Sequence, residues 1–283
     1  MSRTIVITGA SDGIGAAAAR QLHQDGHEVI VVGRSPQKTQ GVAREIGARC
    51  FIADFSRLDD VRRLASDLDR AYPRIDVLAN NAGGIFDAGA KTVDGFETTF
   101  QVNHLAPFLL TRLLLDKLLA SRAAIIQTAS SAAWFGKINL ADLDLDANFS
   151  SMRAYCASKL ENVLFTRELH RRYHDQGISA AAFHPGVIAS NFANDTNSFI
   201  RFITQWGRIF LKSPGQGADQ LAWLAESTPG KDWISGSFYA KRKVFRRSHA
   251  QAHDDDLARK LWDRSEQLLD GGAPASRPAL PSV

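Results

Sequence analysis

Tyr155 and Lys159 are four residues apart in this chain, and Ser131 precedes them. On a helix, a spacing of four places two side chains on one face, one turn apart. A free phenol titrates near pH ~10, and a neighbouring ammonium lowers that pKa because it stabilises the phenolate. A serine hydroxyl opposite the pair would hydrogen-bond the same substrate oxygen to which the tyrosine gives its proton. The three side chains are therefore candidates for acid–base chemistry at a carbonyl or alcohol, although the same spacing also occurs on solvated helix faces.

A glycine-rich turn lies between a predicted buried strand at residues 3–8 and a predicted helix at residues 14–24. The order strand, glycine-rich turn, helix is what a dinucleotide-binding turn requires. Gly9 permits the tight turn, Gly13 lets the backbone approach a pyrophosphate, and Gly15 lets the helix pack close to the strand. Free N–H groups at the helix N-terminus attract phosphate. The turn therefore predicts a dinucleotide site, the alternative being a glycine-rich turn without a ligand.

The loop after the second predicted strand, residues 28–32, indicates which dinucleotide is bound. An acidic residue at this place would hold the ribose 2′-hydroxyl of NAD. The sequence instead reads Gly33-Arg34-Ser35, and an arginine can pair with a 2′-phosphate. We therefore expect NADP(H) to be favoured over NAD(H), unless Arg34 is only a solvated loop residue.

The other predicted strands also end in polar or glycine-rich segments. These segments are Asp54-Phe55 after strand 49–53, Asn80-Asn81-Ala82-Gly83-Gly84 after strand 75–79, Ser130-Ser131 after strand 124–129, and residues 184–190 after strand 179–183. Asp54 either accepts a hydrogen bond from an adenine amino group or caps the helix predicted at 58–71. The segment at 80–84 suits a floor under a nucleotide or is a plain polar turn. Because ligands bind at the carboxyl edge of a parallel sheet, we expect all of these segments at one site.

The helix predicted at 95–119 contains a proline. Pro107 interrupts the hydrogen bonding of the helix, and we expect a kink near Asn103 and His104. Asn103 is a polar residue in an apolar stretch, so it should have a hydrogen-bonding partner.

Strand and helix alternate six times with no inserted domain, which predicts an α/β fold. The expected architecture is a doubly wound parallel sheet of about seven strands with helices on both faces. We expect residues 1–270 to form a single Rossmann-type domain, with a small helical lid at about 190–214. Residues 271–283 are expected to be a disordered tail because they are poor in apolar side chains.

Composition narrows the class of protein. The chain has 283 residues, a net charge of +4 and a sequence pI near 9.2, without a nucleic-acid motif. Two cysteines are too few for a disulfide framework, there is no signal-peptide pattern and no apolar run of about 18 residues, so we expect a cytoplasmic protein without a transmembrane segment.

Three aspartates of the loop 134–150, Asp142, Asp144 and Asp146, lack metal-ligand spacing and are expected to face solvent. The basic run at 241–247 is expected to be solvated surface, with attraction for an acidic partner as the alternative.

Taken together, these motifs resemble those of the short-chain dehydrogenase/reductase family over about residues 3–240. The motifs are T-G-A-S-D-G-I-G at 8–15, N-N-A-G at 80–83, an asparagine at 103, S-S at 130–131, Y-C-A-S-K at 155–159 and P-G at 185–186. The resemblance implies hydride transfer to or from a nicotinamide. It implies that Tyr155 is the acid/base, that Lys159 lowers the pKa of Tyr155 and holds the nicotinamide ribose, and that Ser131 orients the substrate oxygen. Asn103 would hold a water that links Lys159 to solvent.

The resemblance also implies a set of cofactor-binding residues. They are Gly9, Ser11, Asp12, Gly13, Ile14, Gly15, Arg34, Asp54, Phe55, Asn81, Ala82, Gly83, Tyr155, Lys159, Pro185, Gly186, Ile188 and Ser190. Ser190, and the backbone at Ile188, would contact the nicotinamide carboxamide. No metal is expected.

Within the family, the chain is most similar to the retinol-dehydrogenase-like branch, on S-S-A-A-W-F-G-K-I at 130–138 and Y-C-A-S-K-L-E-N-V-L-F at 155–165. That branch implies a small apolar alcohol, aldehyde or ketone as substrate. Aromatic and aliphatic residues at helical spacing from Phe199 to Phe210 fit a lid over the site, a core or subunit contact, or an amphipathic helix on a membrane surface. Peripheral membrane contact therefore stays open, as does a homo-oligomer, dimer or tetramer, through helices 95–119 and 151–175.

The leading interpretation is an NADP(H)-dependent oxidoreductase acting on a carbonyl/alcohol pair. An NAD-dependent alcohol dehydrogenase and a reductase of conjugated C=C bonds would use the same fold and the same proton donor. A non-catalytic dinucleotide-sensing protein is the remaining alternative, and the presence of both Tyr155 and Lys159 argues against it.

Overall fold

A sheet of eight strands forms the centre of the molecule in the computed structural model, which describes residues 2–86, 89–145, 149–186, 214–245 and 249–271. The strands are, in chain order, β1 Thr4–Thr8, β2 Glu28–Gly33, β3 Arg49–Ile52, β4 Val77–Asn80, β5 Ala124–Thr128, β6 Ser179–His184, β7 Ser237–Ala240 and β8 Lys243–Val244. They lie in the order β3-β2-β1-β4-β5-β6-β7-β8, and every pair is parallel except β7 with β8. The predicted doubly wound parallel sheet is confirmed, with one strand more than the seven or so expected. That strand, β8, lies in the basic run 241–247 and pairs as a short hairpin with β7.

The strands form because their side chains are apolar on both faces. In β1 all five residues are buried, and Ile5, Val6 and Ile7 have no exposed surface. Val6 faces one hydrophobic layer, whereas Ile5 and Ile7 face the other. Parallel strands that are covered on both faces read as continuous apolar runs, which is why the sequence pattern of β1 is clear.

Helices cover both faces of the sheet. They are, in chain order, α1 Gly13–Gln24, α2 Pro36–Ile46, α3 Leu58–Ala71, α4 Thr98–Phe100, α5 Ala106–Leu113, α6 Leu115–Ser121, α7 Ser151–Tyr173, α8 Pro214–Glu226 and α9 Asp255–Asp270. Helices α1, α2 and α8 pack on the face that includes Ile5, and α3, α5 and α7 pack on the other. The strand order reverses between β1 and β4, and a crevice for a ligand is expected at that point of an open sheet.

The helix predicted at 95–119 is divided into four pieces. Between α4 and α5 the chain forms a π-helix at Gln101–Leu105, which contains Asn103 and His104. Pro107 has no N–H group to give to the carbonyl of Asn103 four residues earlier, so the α-helical pattern cannot pass through this point. The predicted kink at Asn103 and His104 is confirmed, and it takes the form of a π-helical turn.

Helix α9 covers the helices that the sequence suggests for subunit contacts. Trp262 of α9 packs against Phe108 of α5, with ring centres 4.8 Å apart, and stacks on Phe165 of α7 at 5.5 Å. Ion pairs join the same elements, from Arg167 of α7 to Asp255 of α9 at 2.6 Å and from α5 to the last residue of α9. This part of the α5 and α7 surface is therefore buried within one chain, and the oligomeric state stays a prediction.

Two sequence-based expectations concern segments beyond the described residues. The lid at about 190–214 falls almost entirely outside them, as does the tail after Gly271. Among the residues that the structure does describe, no helix has both the length and the apolar character to cross a membrane.

Candidate active site

A cavity of about 640 Å³ opens at the carboxyl edge of the sheet, at the strand-order reversal. The predicted site residues that line it are Gly9, Ser11, Asp12, Gly13, Ile14, Arg34, Asp54, Phe55, Asn81, Ala82, Gly83, Ser131, Tyr155, Lys159, Pro185 and Gly186. Segments that follow six different strands thus meet at one site, as the sequence predicted. Gly15 and Asn103 lie outside the lining, and Ile188 and Ser190 fall outside the described residues.

The glycine-rich turn is held by side chains from the neighbouring strands. Gly9 and Gly13 have φ angles of 66° and 56°, a region that glycine enters without steric cost. The Asn81 amide donates to the carbonyl oxygens of Thr8 and Gly9 at 3.0 and 3.3 Å. A Cβ at Gly15 would lie 2.4 Å from the carbonyl oxygen of Gly9, so only glycine lets α1 approach the turn this closely. The N-terminus of α1 is therefore fixed at the cavity, where its N–H groups can bind phosphate.

The serine that contacts Tyr155 is Ser130, the residue before the predicted Ser131, and the role of Ser131 toward a substrate oxygen stays a prediction. The Ser130 side chain hydrogen-bonds the Tyr155 phenol. Ser131 instead uses its backbone N–H to donate to Nδ1 of His184 at 3.1 Å. The reason is that β5 ends at Thr128, one residue earlier than predicted, and Ser130 is the extended residue that caps a short 3₁₀ helix beginning at Ser131.

Lys159 is buried beside the tyrosine. It is 2% exposed, its Nζ donates to the carbonyl oxygen of Thr128 at 3.0 Å, and the same atom lies 5.5 Å from the centre of the Tyr155 ring. Burial lowers the pKa of Lys159 to about 8, because an ammonium loses its hydration there. The side chain can therefore change its protonation state near neutral pH.

Burial also acts on the phenol, and in the direction opposite to the one that the sequence predicts. It raises the pKa of Tyr155 above its usual range, and the hydrogen bond with Ser130 offsets this only in part. Burial acts in this direction because removal from water disfavours the charged phenolate. The effect of Lys159 on this pKa stays a prediction.

Asn103 joins the π-helix to the cavity floor. Its Oδ1 accepts from the backbone N–H of Gly84, and its Nδ2 donates to the carbonyl oxygen of Gly84 and to Oγ of Ser158, all at 2.9 Å. A Cβ on Gly83 would lie 2.8 Å from Asn103 Oδ1 and 3.4 Å from Lys159 Nζ, so the floor passes close to both side chains. The expected hydrogen-bonding partners of Asn103 are therefore present, and its role toward a water stays a prediction.

Charged side chains also line the cavity. Arg34 is exposed and takes part in no ion pair among the described residues. Lys38, which the sequence motifs do not include, also lines the cavity and pairs with Asp12 at 2.9 Å. Asp54 accepts from Ser56 and does not cap α3, so the capping alternative for Asp54 is wrong.

The aspartates of the loop 134–150 do not all face solvent. Asp144 accepts from the backbone N–H of Glu97 at 2.9 Å and pairs with Lys91 at 3.3 Å, so the expectation of a solvated side chain is wrong for it. Asp146 lies outside the described residues. Within the described ranges, no cluster of three or more His, Cys, Asp or Glu side chains could hold a metal ion.

The donor set fits a dinucleotide. A helix N-terminus, positive-φ glycines and a tyrosine–serine–lysine group line the same cavity. Arg34 also lines it, a cation that no ion pair within the described part of the chain neutralises. The helix N-terminus binds phosphates, and the tyrosine–serine–lysine group can exchange a proton with an oxygen atom of a small substrate.

Comparison with known proteins agrees with this geometry. The family model for short chain dehydrogenases matches residues 3–200. A Streptomyces protein named as a candidate daunorubicin C-13 ketoreductase is 40% identical over 93% of this chain and 91% of its own length. Human retinol dehydrogenase 11 is 37% identical over 94% of this chain and 86% of its own length.

Solved structures of short-chain dehydrogenases also resemble this chain. A crystal structure of a protein from Mycobacterium paratuberculosis is 35% identical, with a TM-score of 0.76 over 96% of this chain and 94% of that one. A short chain dehydrogenase from Burkholderia cenocepacia in complex with NADP is 25% identical, with a TM-score of 0.66 over 84% and 94%. A 3-ketoacyl-(acyl-carrier-protein) reductase from Brucella melitensis complexed with NADH, 24% identical with a TM-score of 0.65 over 83% and 95%, shares the fold. The chain therefore belongs to the short-chain dehydrogenase/reductase family, in its retinol-dehydrogenase-like branch, and is an oxidoreductase acting on CH–OH or C=O groups.

Proposed function

We propose that this protein is an NADP(H)-dependent oxidoreductase that interconverts a carbonyl and an alcohol on a small apolar substrate, with Tyr155 as general acid and base. The observation that carries the proposal is the hydrogen-bonded pair of Ser130 and Tyr155, beside Lys159, in the cavity that the glycine-rich turn also lines.

The residues have separate tasks in this proposal. The bound dinucleotide supplies or accepts the hydride. In reduction, the Tyr155 hydroxyl gives its proton to the substrate oxygen, and Ser130 hydrogen-bonds the same oxygen and orients it. Lys159 holds the nicotinamide ribose and replaces the proton that Tyr155 has given, since burial lowers the pKa of Lys159 to about 8. Because burial raises the pKa of Tyr155, the phenol holds its proton at neutral pH, as the acid in a reduction must.

The preference for NADP(H) is proposed from Arg34 and Lys38. Both line the cavity directly after β2, and no acidic residue occurs between Gly33 and Lys38 to hold a free ribose hydroxyl. The relative in complex with NADP supports this choice, whereas the NADH complex of a more distant fold neighbour shows that the fold accommodates either cofactor.

Titration of the purified protein with NADPH and NADH, followed by tryptophan fluorescence, tests the cofactor proposal. We expect Arg34→Ala to weaken NADPH binding by about 10- to 100-fold, as expected for a hydrogen bond between charged groups, and to leave NADH binding unchanged. Arg44→Ala is the matched control, because Arg44 is an exposed arginine of α2 that does not line the cavity. Equal loss for both cofactors, or tighter binding of NADH by the unmodified protein, would contradict the proposal.

The substrate class is proposed from the remaining lining of the cavity. Ile85, Phe86, Val102 and Met152 line the same cavity as Tyr155 and offer apolar surface. The names of the relatives refer to a ketone and to retinol, both of which undergo carbonyl–alcohol chemistry. We therefore expect turnover of aromatic or long-chain aldehydes and ketones with NADPH and little turnover of charged or sugar-like carbonyls of equal size. The reverse order of rates would contradict the proposed substrate class.

A further inference from the structure

We propose that Ser265 of the C-terminal helix α9 is a positioning residue for catalysis: its hydrogen bond to His104 holds the π-helix in the form that presents Asn103 to the cavity floor. The inference rests on the proposed function, because it concerns the same site. It also predicts a change in amide hydrogen exchange, which can be measured without enzyme turnover.

The hydrogen bond fixes the state of a buried imidazole. Nε2 of His104 lies 2.9 Å from Oγ of Ser265, and that hydroxyl donates its own proton to the carbonyl oxygen of Leu261 at 2.8 Å. The hydroxyl must then accept from His104, so Nε2 carries the imidazole proton. Nδ1 has no hydrogen-bonding partner within the described ranges, and Ser265 is therefore the polar anchor of this side chain there.

Aromatic rings prevent His104 from turning toward another partner. The ring of His104 stacks on Phe100 at 5.6 Å and lies 6.0 Å from Phe108 and 6.3 Å from Phe165. The residue is 1% exposed. If Ser265 lost its hydroxyl, the Nε2–H group would stay buried without an acceptor, and the π-helix would relieve that cost only by moving.

The residue before His104 in the chain, Asn103, contacts the floor of the site. Asn103 binds both backbone groups of Gly84 and also Ser158, and the Ser158 hydroxyl donates to the carbonyl oxygen of Tyr155 at 2.9 Å. An unbroken series of contacts thus leads from α9 through the π-helix to the cavity floor and to the catalytic helix. π-Helical turns are uncommon and need support from their surroundings, and α9 supplies it here.

Three single variants test the proposal. Ser265→Ala removes the acceptor and should lower kcat by about 10- to 100-fold with little change in the KM for the carbonyl substrate, because small displacements of catalytic groups have effects of that size. Ser265→Thr keeps the hydroxyl and should retain most of the activity. Leu269→Ala is the control, since Leu269 is a buried residue of the same helix outside this hydrogen bond. It should lower the melting temperature as much as Ser265→Ala does but leave kcat within about threefold of the unmodified protein. Equal loss of kcat in Leu269→Ala would overturn the proposal.

A double variant separates positioning from stability. In Ser265→Ala/His104→Phe the imidazole N–H that lacks an acceptor is gone, so the melting temperature should recover relative to Ser265→Ala alone. The anchor is still absent, and kcat should stay low. Recovery of kcat together with the melting temperature would show that the bond serves stability alone.

Hydrogen exchange makes the test independent of turnover. The amide of Gly84 donates to Asn103, so its exchange should be faster by about tenfold in Ser265→Ala and unchanged in Leu269→Ala. If the unmodified protein reduces no carbonyl compound, the proposed function fails, whereas the exchange result still decides whether Ser265 positions Asn103.

Discussion

Removing the hydroxyl of Ser130 should impair catalysis far more than removing that of its neighbour Ser131. Ser130 hydrogen-bonds Tyr155 and so lies where the substrate oxygen must accept its proton. Ser131 makes its contact through the backbone N–H to His184, and alanine keeps that group. Loss of a single hydrogen-bond donor to a reacting oxygen typically costs 10²- to 10³-fold in kcat, or roughly 3–4 kcal/mol of transition-state stabilisation.

The assay is NADPH consumption followed by absorbance, with an aromatic or long-chain aldehyde as substrate. We expect Ser130→Ala to lose about two to three orders of magnitude in kcat and Ser131→Ala to stay within about threefold. NADPH affinity and melting temperature should be close to those of the unmodified protein in both variants, which excludes misfolding as the cause. A larger loss in Ser131→Ala than in Ser130→Ala would refute the assignment of Ser130.

Two further predictions concern buried charges and stability. Lys159→Met should raise the melting temperature at pH 7, because burial lowers the pKa of Lys159 from 10.5 to about 8. Between these two values the unfolded chain binds more protons than the folded one, so the stability of the unmodified protein rises with pH there. Removing the buried ammonium should stabilise the fold by about 3 kcal/mol at pH 7, and losing the hydrogen bond to Thr128 should cost about 1 kcal/mol of this. The stabilisation by methionine should therefore shrink toward pH 10. Glu161→Gln should also be stabilising at pH 7, because burial, Glu97 and Asp144 raise the pKa of Glu161 well above 4.5. The raised pKa of Glu161 contributes stability below pH ~4.5 that is lost as pH rises, so the stabilisation by glutamine should vanish near pH 4. Thermal melts from pH 4 to pH 10 check both variants. A stabilisation that does not change with pH would contradict the argument.

The parts of the fold that the sequence predicts well are those set by local pattern. Helix α3 begins and ends where it is predicted, at residues 58 and 71, because Asp59 and Asp60 occupy its first turn and one face is apolar throughout. The glycine-rich turn is recognisable because Gly9 and Gly13 adopt positive φ angles that other residues rarely enter. The doubly wound sheet follows from such local elements and from the handedness of their connections.

The parts that sequence reasoning misses depend on contacts distant in sequence. Whether Ser130 or Ser131 meets Tyr155 is decided by where β5 ends against its neighbours, which a shift of one residue reverses. The packing of helix α9 through Trp262 on α5 and α7 is likewise a tertiary contact, which no short sequence pattern indicates.

The direction of the Tyr155 pKa shift could not be predicted from the sequence for a similar reason. The spacing to Lys159 suggests a lowered pKa, because it places a cation one turn away. It does not reveal the burial of the phenol, which raises the pKa of Tyr155 in the structure.

The most direct test of the proposed function is Tyr155→Phe, which removes one oxygen atom and keeps the ring. We expect loss of carbonyl reduction by at least about 10³-fold with unchanged NADPH affinity, because the proton donor is absent while the glycine-rich turn and Arg34 are intact. Retained reduction in Tyr155→Phe would contradict the assignment of Tyr155 as the acid, and with it the proposed proton transfer from Tyr155 to the substrate oxygen.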